Sequence, residues 1–248
     1  MKACHTNKLF YRKYKFKAVA KIPGCSFIRY ANRDDIDRLF NSDSIQEWGG
    51  TKYNLTYHYT FENEDLKDWR TNRTKAVWGN RFNLYKLYNW LNENYSDECK
   101  ARNEGDKLGF FTSNKETYDS FLREFKDSIL ELRWPKNKAH EEFLTNNPDA
   151  VICSKLPYNK YRYKINIKLR GKNATGFGDW IKNYQGEIKA SEKLLQGIAR
   201  GYYYQDGKFV YSTDKDMMLL LTLYLGTYVQ SVNEYITEAE LDERHTNT

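Results

Sequence analysis

Two stretches of this chain read as extended strands, and they limit what the rest can be. Along residues 158–170 the side chains alternate. Tyr161, Tyr163, Ile165, Ile167 and Leu169 fall on one face, and Lys160, Arg162, Lys164, Asn166, Lys168 and Arg170 on the other. Successive side chains of a strand point to opposite faces, so a strand lines these cations up, whereas a helix would scatter them. Residues 11–22 repeat the pattern, with Tyr14, Phe16, Ala18, Ala20 and Ile22 against Lys13, Lys15, Lys17, Val19 and Lys21. Both stretches share the skeleton Tyr-x-Lys-Tyr-basic-aromatic-Lys-x-x-x-Lys-aliphatic. The repetition fits two similar lobes; convergence of Lys- and Tyr-rich strands also explains it.

A row of like charges repels itself unless something negative lies over it, and lysines that neutralise phosphates release counterions. The two rows are therefore expected to hold nucleic acid, single strands favoured. Lys13, Lys15, Lys17, Lys21, Lys160, Arg162, Lys164, Lys168 and Arg170 are the phosphate-binding candidates. Tyr11, Tyr14, Tyr158 and Tyr161 stand beside them as candidates for stacking on bases. The competing reading is a solvated face whose lysines are offset by acids such as Glu62 or Glu131 on neighbouring strands. A formal charge of +7 favours a polyanionic partner. The C-terminal end is acidic by contrast, with Glu234, Glu238, Glu240, Asp242 and Glu243.

The chain has 248 residues, enough for one large domain or two small ones, and 40% hydrophobic with 29% charged residues fits a folded soluble protein. Tyr is abundant at 21 residues, and with many Lys and Asn and only 4 Pro this suggests an AT-rich genome. Phage or viral replication or genome handling, in the host cytoplasm, is the setting expected. The 4 cysteines have no paired spacing, which argues for reduced thiols rather than a zinc site or disulfide framework. No signal peptide is expected from the polar start, and no membrane partner, since Thr222, Gly226, Gln230, Asn233 and Glu234 interrupt the longest apolar run.

No catalytic, metal or cofactor residues are assigned. Asp34, Asp35 and Asp37 sit at a helix start, Asp214 and Asp216 at a cap, and His58 on the polar side of a strand. Glu187-Ile-Lys189 has the form used by metal-dependent nucleases, but no upstream Asp strand accompanies it. No nucleophile elbow, phosphate loop or dinucleotide glycine pattern is present. An enzyme is therefore the third choice. Second is a structural or assembly protein, a homo-oligomer or a protein partner being held by Tyr-rich surfaces and an apolar C-terminal helix.

Taken in order, the pattern predicts a helix at 33–41, a strand at 52–62, helices at 62–73 and 80–95, and a polar linker at 96–106. A strand at 107–112, a helix at 114–125, a strand at 128–134 and a helix at 138–146 follow. After the second basic strand come a glycine-bearing loop at 171–178, a helical turn at 179–184 and a helix at 187–199. A hairpin at 202–211 then turns on Asp206-Gly207, and one helix, kinked at Gly226, covers 217–236, a buried strand over 217–225 being the alternative that the short apolar run also fits. This is an α+β chain with mixed or antiparallel sheets and packed helices; two ferredoxin-like lobes, residues 1–105 and 106–248, are one arrangement that fits.

Lys107, Gly109, Phe110 and Phe111 precede a helix in an order that resembles the third strand and second helix of an RNA-recognition motif. Thr112 holds that family's second aromatic position and no matching aromatic strand accompanies it, so Phe110 and Phe111 are expected in the core.

Overall fold

The first basic stretch condenses into a short central strand because its apolar half has a core to enter. In the computed structural model, which describes residues 1–44, 75–168, 173–200 and 208–246, the chain divides into two units. Unit 1 comprises Met1–Thr6 and Lys13–Trp134, and unit 2 comprises Asn7–Arg12 and Pro135–Thr248.

Unit 1 runs β1 (Lys2–His5), β2 (Phe16–Lys21), α1 (Arg33–Asn41), α2 (Arg81–Asn94), β3 (Cys99–Glu104), β4 (Lys107–Thr112), α3 (Lys115–Glu124) and β5 (Ile129–Trp134). Its sheet has the order β1-β5-β2-β4-β3; β1 is parallel to β5 and the other pairs are antiparallel. Phe16, Ala18 and Ala20 face a core shared with Leu84, Leu87 and Trp90 of α2 and Tyr118 and Phe121 of α3.

Unit 2 runs α4 (Lys138–Asn146), β6 (Ala150–Cys153), β7 (Tyr163–Ile167), α5 (Asn173–Lys182), β8 (Ile188–Ala190), α6 (Glu192–Arg200), β9 (Phe209–Ser212), α7 (Lys215–Leu225), β10 (Val229–Thr237) and α8 (Glu238–Thr246). Its sheet has the order β6-β10-β7-β9-β8, with β6 parallel to β10 and the other pairs antiparallel. Tyr163, Ile165 and Ile167 pack against Phe177 and Ile181 of α5, Leu194 of α6, and Met217 and Leu221 of α7. The class is α+β, built on two five-stranded mixed sheets.

The two sheets share strand order and strand directions, and their central strands are the two basic stretches. The likeness extends to detail. Two successive non-glycine residues adopt left-handed φ before each central strand: Tyr11 and Arg12 at 54° and 59°, Tyr158 and Asn159 at 54° and 57°. The pairing of the last strand with the central one shifts register at Glu131/Ile129 in unit 1 and at Ser231/Val229 in unit 2. α3 and α7 follow β4 and β9 with the same cap, in which Asn114 accepts from Thr117 N and Asp214 from Met217 N.

Several expectations need correcting. The polar stretch 96–106 contains β3, an edge strand whose backbone pairs with β4 while its side chains stay largely in water; polarity there does not mean a linker. The division expected near residue 105 falls in the β3–β4 turn, and the units part at Trp134 and Pro135. The segment 171–178 contributes to α5, because Phe177 is drawn into the core and overrides the poor helix propensity of its glycines. Ile188 belongs to β8, with α6 starting at Glu192.

The long C-terminal helix is instead α7 followed by β10. Gly226, at φ 51°, ends the helix, and the chain re-enters the sheet between β6 and β7. On α2 the buried stripe is Leu84, Leu87 and Trp90, and Phe82 is exposed. The expected strand at 52–62 with His58, the helix at 62–73 and the Asp206-Gly207 turn lie outside the described residues.

Candidate functional site

Each sheet has one face turned to its helices and one turned away, and the basic stretches place their cations on the second. Of the unit 1 candidates, Lys17 lies 3.3 Å from Glu131, which is also held by Arg133 at 2.6 Å. Burial alone would raise the Glu131 carboxyl, but the hydrogen bond from Arg133 and the charge of Lys17 outweigh it and hold it below its ordinary value. This is the offsetting acid that the competing reading required. Lys13 and Lys15 precede the regular strand, Lys13 donating to the Asp97 carbonyl at 2.5 Å, and Lys21 ends it exposed. Tyr14 is only 7% exposed, with its hydroxyl donating to the Cys99 carbonyl, so it is a core residue and no stacking surface. Tyr11 falls in the segment that joins unit 2. Unit 1 brings little together.

Unit 2 brings together more than the sequence showed. Antiparallel partners lie side by side on one face, and the pairing sets out two rows across the sheet. The first is Lys189 of β8, Tyr211 of β9, Lys164 of β7 and Asn233 of β10. The second is Phe209 of β9, Asn166 of β7 and Ser231 of β10. The Lys164 ammonium sits 4.1 Å from the Phe209 ring centroid, and Lys189 sits 3.7 Å from that of Tyr158. Burial, then the charge of Lys8, lowers the Lys164 pKa. Tyr158 is 63% exposed, and its ring stands edge-on to Tyr161 and Tyr211 at 6.0 and 5.8 Å. Tyr161 is buried beneath, stacked on Tyr211. Tyr235 is hydrogen-bonded to Tyr211; burial and that neighbour push its pKa up to about 12, so it stays a neutral phenol.

The equivalent rows in unit 1 explain the difference. Lys100, Phe111, Lys17 and Arg133 make the first, and Arg102, Gly109, Val19 and Glu131 the second. The Lys–aromatic–Lys motif thus occurs in both sheets. Phe111, however, lies back over Gly109, where a Cβ would meet its ring at 3.1 Å, and is only 6% exposed. In unit 2 Phe209 takes that place, and Ser231 stands where Glu131 would neutralise the lysine. Comparison with known proteins brought out no matching family model, characterised sequence or solved structure.

The remaining candidates divide. Lys160 and Lys168 are exposed at the two ends of β7. Arg162 is ion-paired with Glu240 of α8, which holds its guanidinium pKa up. Arg170 lies outside the described residues. The sequence does not show Phe209, Tyr211, Lys189 and Tyr235 as one group, because the first two fall in a predicted hairpin, Lys189 in the helix predicted at 187–199 and Tyr235 in the helix predicted at 217–236, whereas the structure places them on β9, β8 and β10. The only available signal was alternation within Phe209-Val-Tyr211, too short to assign a partner strand. Glu187 is exposed beside β8, and among the described residues no group of three His, Cys, Asp or Glu side chains is placed to hold a metal ion. No described helix is long and apolar enough to cross a membrane.

Proposed function

We propose that this protein binds single-stranded nucleic acid on the polar face of the unit 2 sheet, in phage or viral genome handling. The observation that carries the reading is the Lys189–Tyr211–Lys164 row beside Phe209, with Tyr158 exposed at its edge. Lys164 lies over the Phe209 ring and Lys189 over the Tyr158 ring, and Tyr211 adjoins both, so these three rings are the ones a base would stack on. When a base takes the ring, the ammonium is released to the phosphate that arrives with it. The cation–ring contact is worth about 0.5–2 kcal/mol, less than a stacked base at about 1–3 kcal/mol together with a phosphate contact. Lys160 and Lys168 extend the track along β7, and Lys8 adds charge beside Lys164.

The test is equilibrium binding to single-stranded and duplex oligonucleotides, DNA and RNA, over a salt series. Single strands should bind tighter, with log affinity falling linearly in log salt. Lys164→Gln and Lys189→Gln should each reduce that slope by about 0.7. Tyr211→Ala should weaken binding by roughly 5- to 150-fold, the loss of one stacked base. Binding absent at low salt, or indifferent to Tyr211→Ala, rejects the site.

A second reading, assembly through protein contacts, is favoured by α7. Leu219, Leu220 and Leu223 on its outer side are 46%, 40% and 81% exposed. The equivalent residues of α3 are Asp119, Ser120 and Arg123, so the fold itself does not call for leucine there.

A further inference from the structure

Asn233 Nδ2 donates to the backbone carbonyl of Asp149 at 3.1 Å. A carbonyl can only accept, which fixes the Asn233 amide with its nitrogen inward and Oδ1 toward Asn166. Asn166 answers with Nδ2, which donates to Asn233 Oδ1 at 3.3 Å and to Ser231 Oγ at 2.9 Å. Both hydrogens of that nitrogen are then spent. Asn166 therefore presents only Oδ1, an acceptor to which no described residue donates. Ser231 Oγ accepts from Asn166 and keeps its own hydrogen as a donor. Along the second row the face thus reads: aromatic platform at Phe209, acceptor at Asn166, donor at Ser231. One main-chain carbonyl sets the polarity of the whole row.

We propose that this row reads the Watson–Crick edge of the base stacked on Phe209, and selects the amino bases adenine and cytosine over the keto bases guanine, uracil and thymine. The inference rests on the nucleic-acid reading above. Adenine and cytosine offer an exocyclic amine beside an unprotonated ring nitrogen, donor then acceptor, which complements Asn166 Oδ1 and the Ser231 hydroxyl. Guanine, uracil and thymine offer a carbonyl beside a ring N–H, the reverse order, so their carbonyl meets Asn166 Oδ1 acceptor to acceptor; the Ser231 hydroxyl keeps one lone pair that can accept the N–H, and the discrimination rests on Asn166. Unit 1 lacks the reader: Val19 and Glu131 stand at the equivalent places, and Gly109 supplies no platform.

The experiment compares oligo-deoxycytidine with oligo-deoxythymidine of equal length, on the full chain and on Asn166→Leu, Ser231→Ala and Tyr211→Ala. Both ligands are pyrimidines, so the difference isolates the edge. The intact protein should bind the cytidine oligomer roughly ten-fold tighter, as expected for one well-placed pair of hydrogen bonds to a base. Asn166→Leu and Ser231→Ala, which also frees an Asn166 hydrogen to meet a keto base, should each shrink that ratio toward one; either variant suffices if the other fails to fold. Equal binding of both ligands that still weakens in Tyr211→Ala overturns the edge reading and leaves the interface standing. A thymidine preference, or a cytidine preference surviving in both edge variants, also overturns it. Binding of neither ligand removes the interface and this inference with it.

Discussion

At the scale of single residues, backbone strain precedes the central strand of each sheet. Asn159 and Tyr158 hold left-handed φ values of 57° and 54°, a conformation that costs of order 1 kcal/mol for a residue other than glycine. Asn159→Gly should accordingly raise stability by up to about 1 kcal/mol in urea unfolding, and a loss would mean that the asparagine side chain supports the turn. Lys164 is held at a lowered pKa by burial and by Lys8. An approaching phosphate favours its charged form and raises that pKa again. The complex therefore binds more protons than the free protein in the alkaline range, and affinity should fall as pH rises there. Calorimetry in buffers of different ionisation enthalpy should show proton uptake, lost in Lys164→Gln. Glu131 shows the opposite sign, since its folded pKa is lowered. Its stabilisation is present above the unfolded carboxylate range and disappears as pH falls through the folded value. Glu131→Gln should lower the melting temperature at neutral pH and flatten its acid-side decline.

At the scale of elements, the two last strands differ at the place where an acid can reach the central lysine. β5 carries Glu131 opposite Val19, while β10 carries Ser231 opposite Asn166. Ser231→Glu should bring to Lys164 the ion pair that Lys17 makes in unit 1. Single-strand binding should fall by more than Lys164→Gln alone lowers it, because a carboxylate also repels the phosphate, and the melting temperature should not drop. The outer side of α7 gives a separate prediction. If Leu219, Leu220 and Leu223 make protein contacts, Leu223→Arg, which restores the residue type of α3, should abolish concentration-dependent association in sedimentation. Association that is absent in the unaltered chain, or unchanged in the variant, would retire the stripe as an interface.

For the whole molecule, the two units have separate cores. Phe110, Phe121 and Trp90 pack together in unit 1, and Ile165, Phe177 and Leu221 in unit 2. Phe121→Ala should cost about 3–5 kcal/mol and lower the unfolding transition of unit 1 in calorimetry, with oligonucleotide protection of the unit 2 transition retained. Loss of that protection would place part of the binding surface outside unit 2.

Alternation along the chain is enough to place the two central strands, their buried faces and the α+β class. Period-two alternation is set by backbone geometry and survives in any context with a core on one side. It also marked the repeat, since Tyr158 and Tyr11, Lys164 and Lys17 stand at equivalent places in the shared skeleton. Which strands lie beside them is settled by long-range packing. Lys189 and Tyr211 are linked to Lys164 by lateral pairing across sequence separations that no local pattern encodes. The same pairing gave Lys17 its acid and put Ser231 at the equivalent place beside Lys164. Tertiary burial likewise turned a glycine-bearing loop into α5 and a helical pattern into β10, because short apolar runs fit either structure until a neighbouring element chooses.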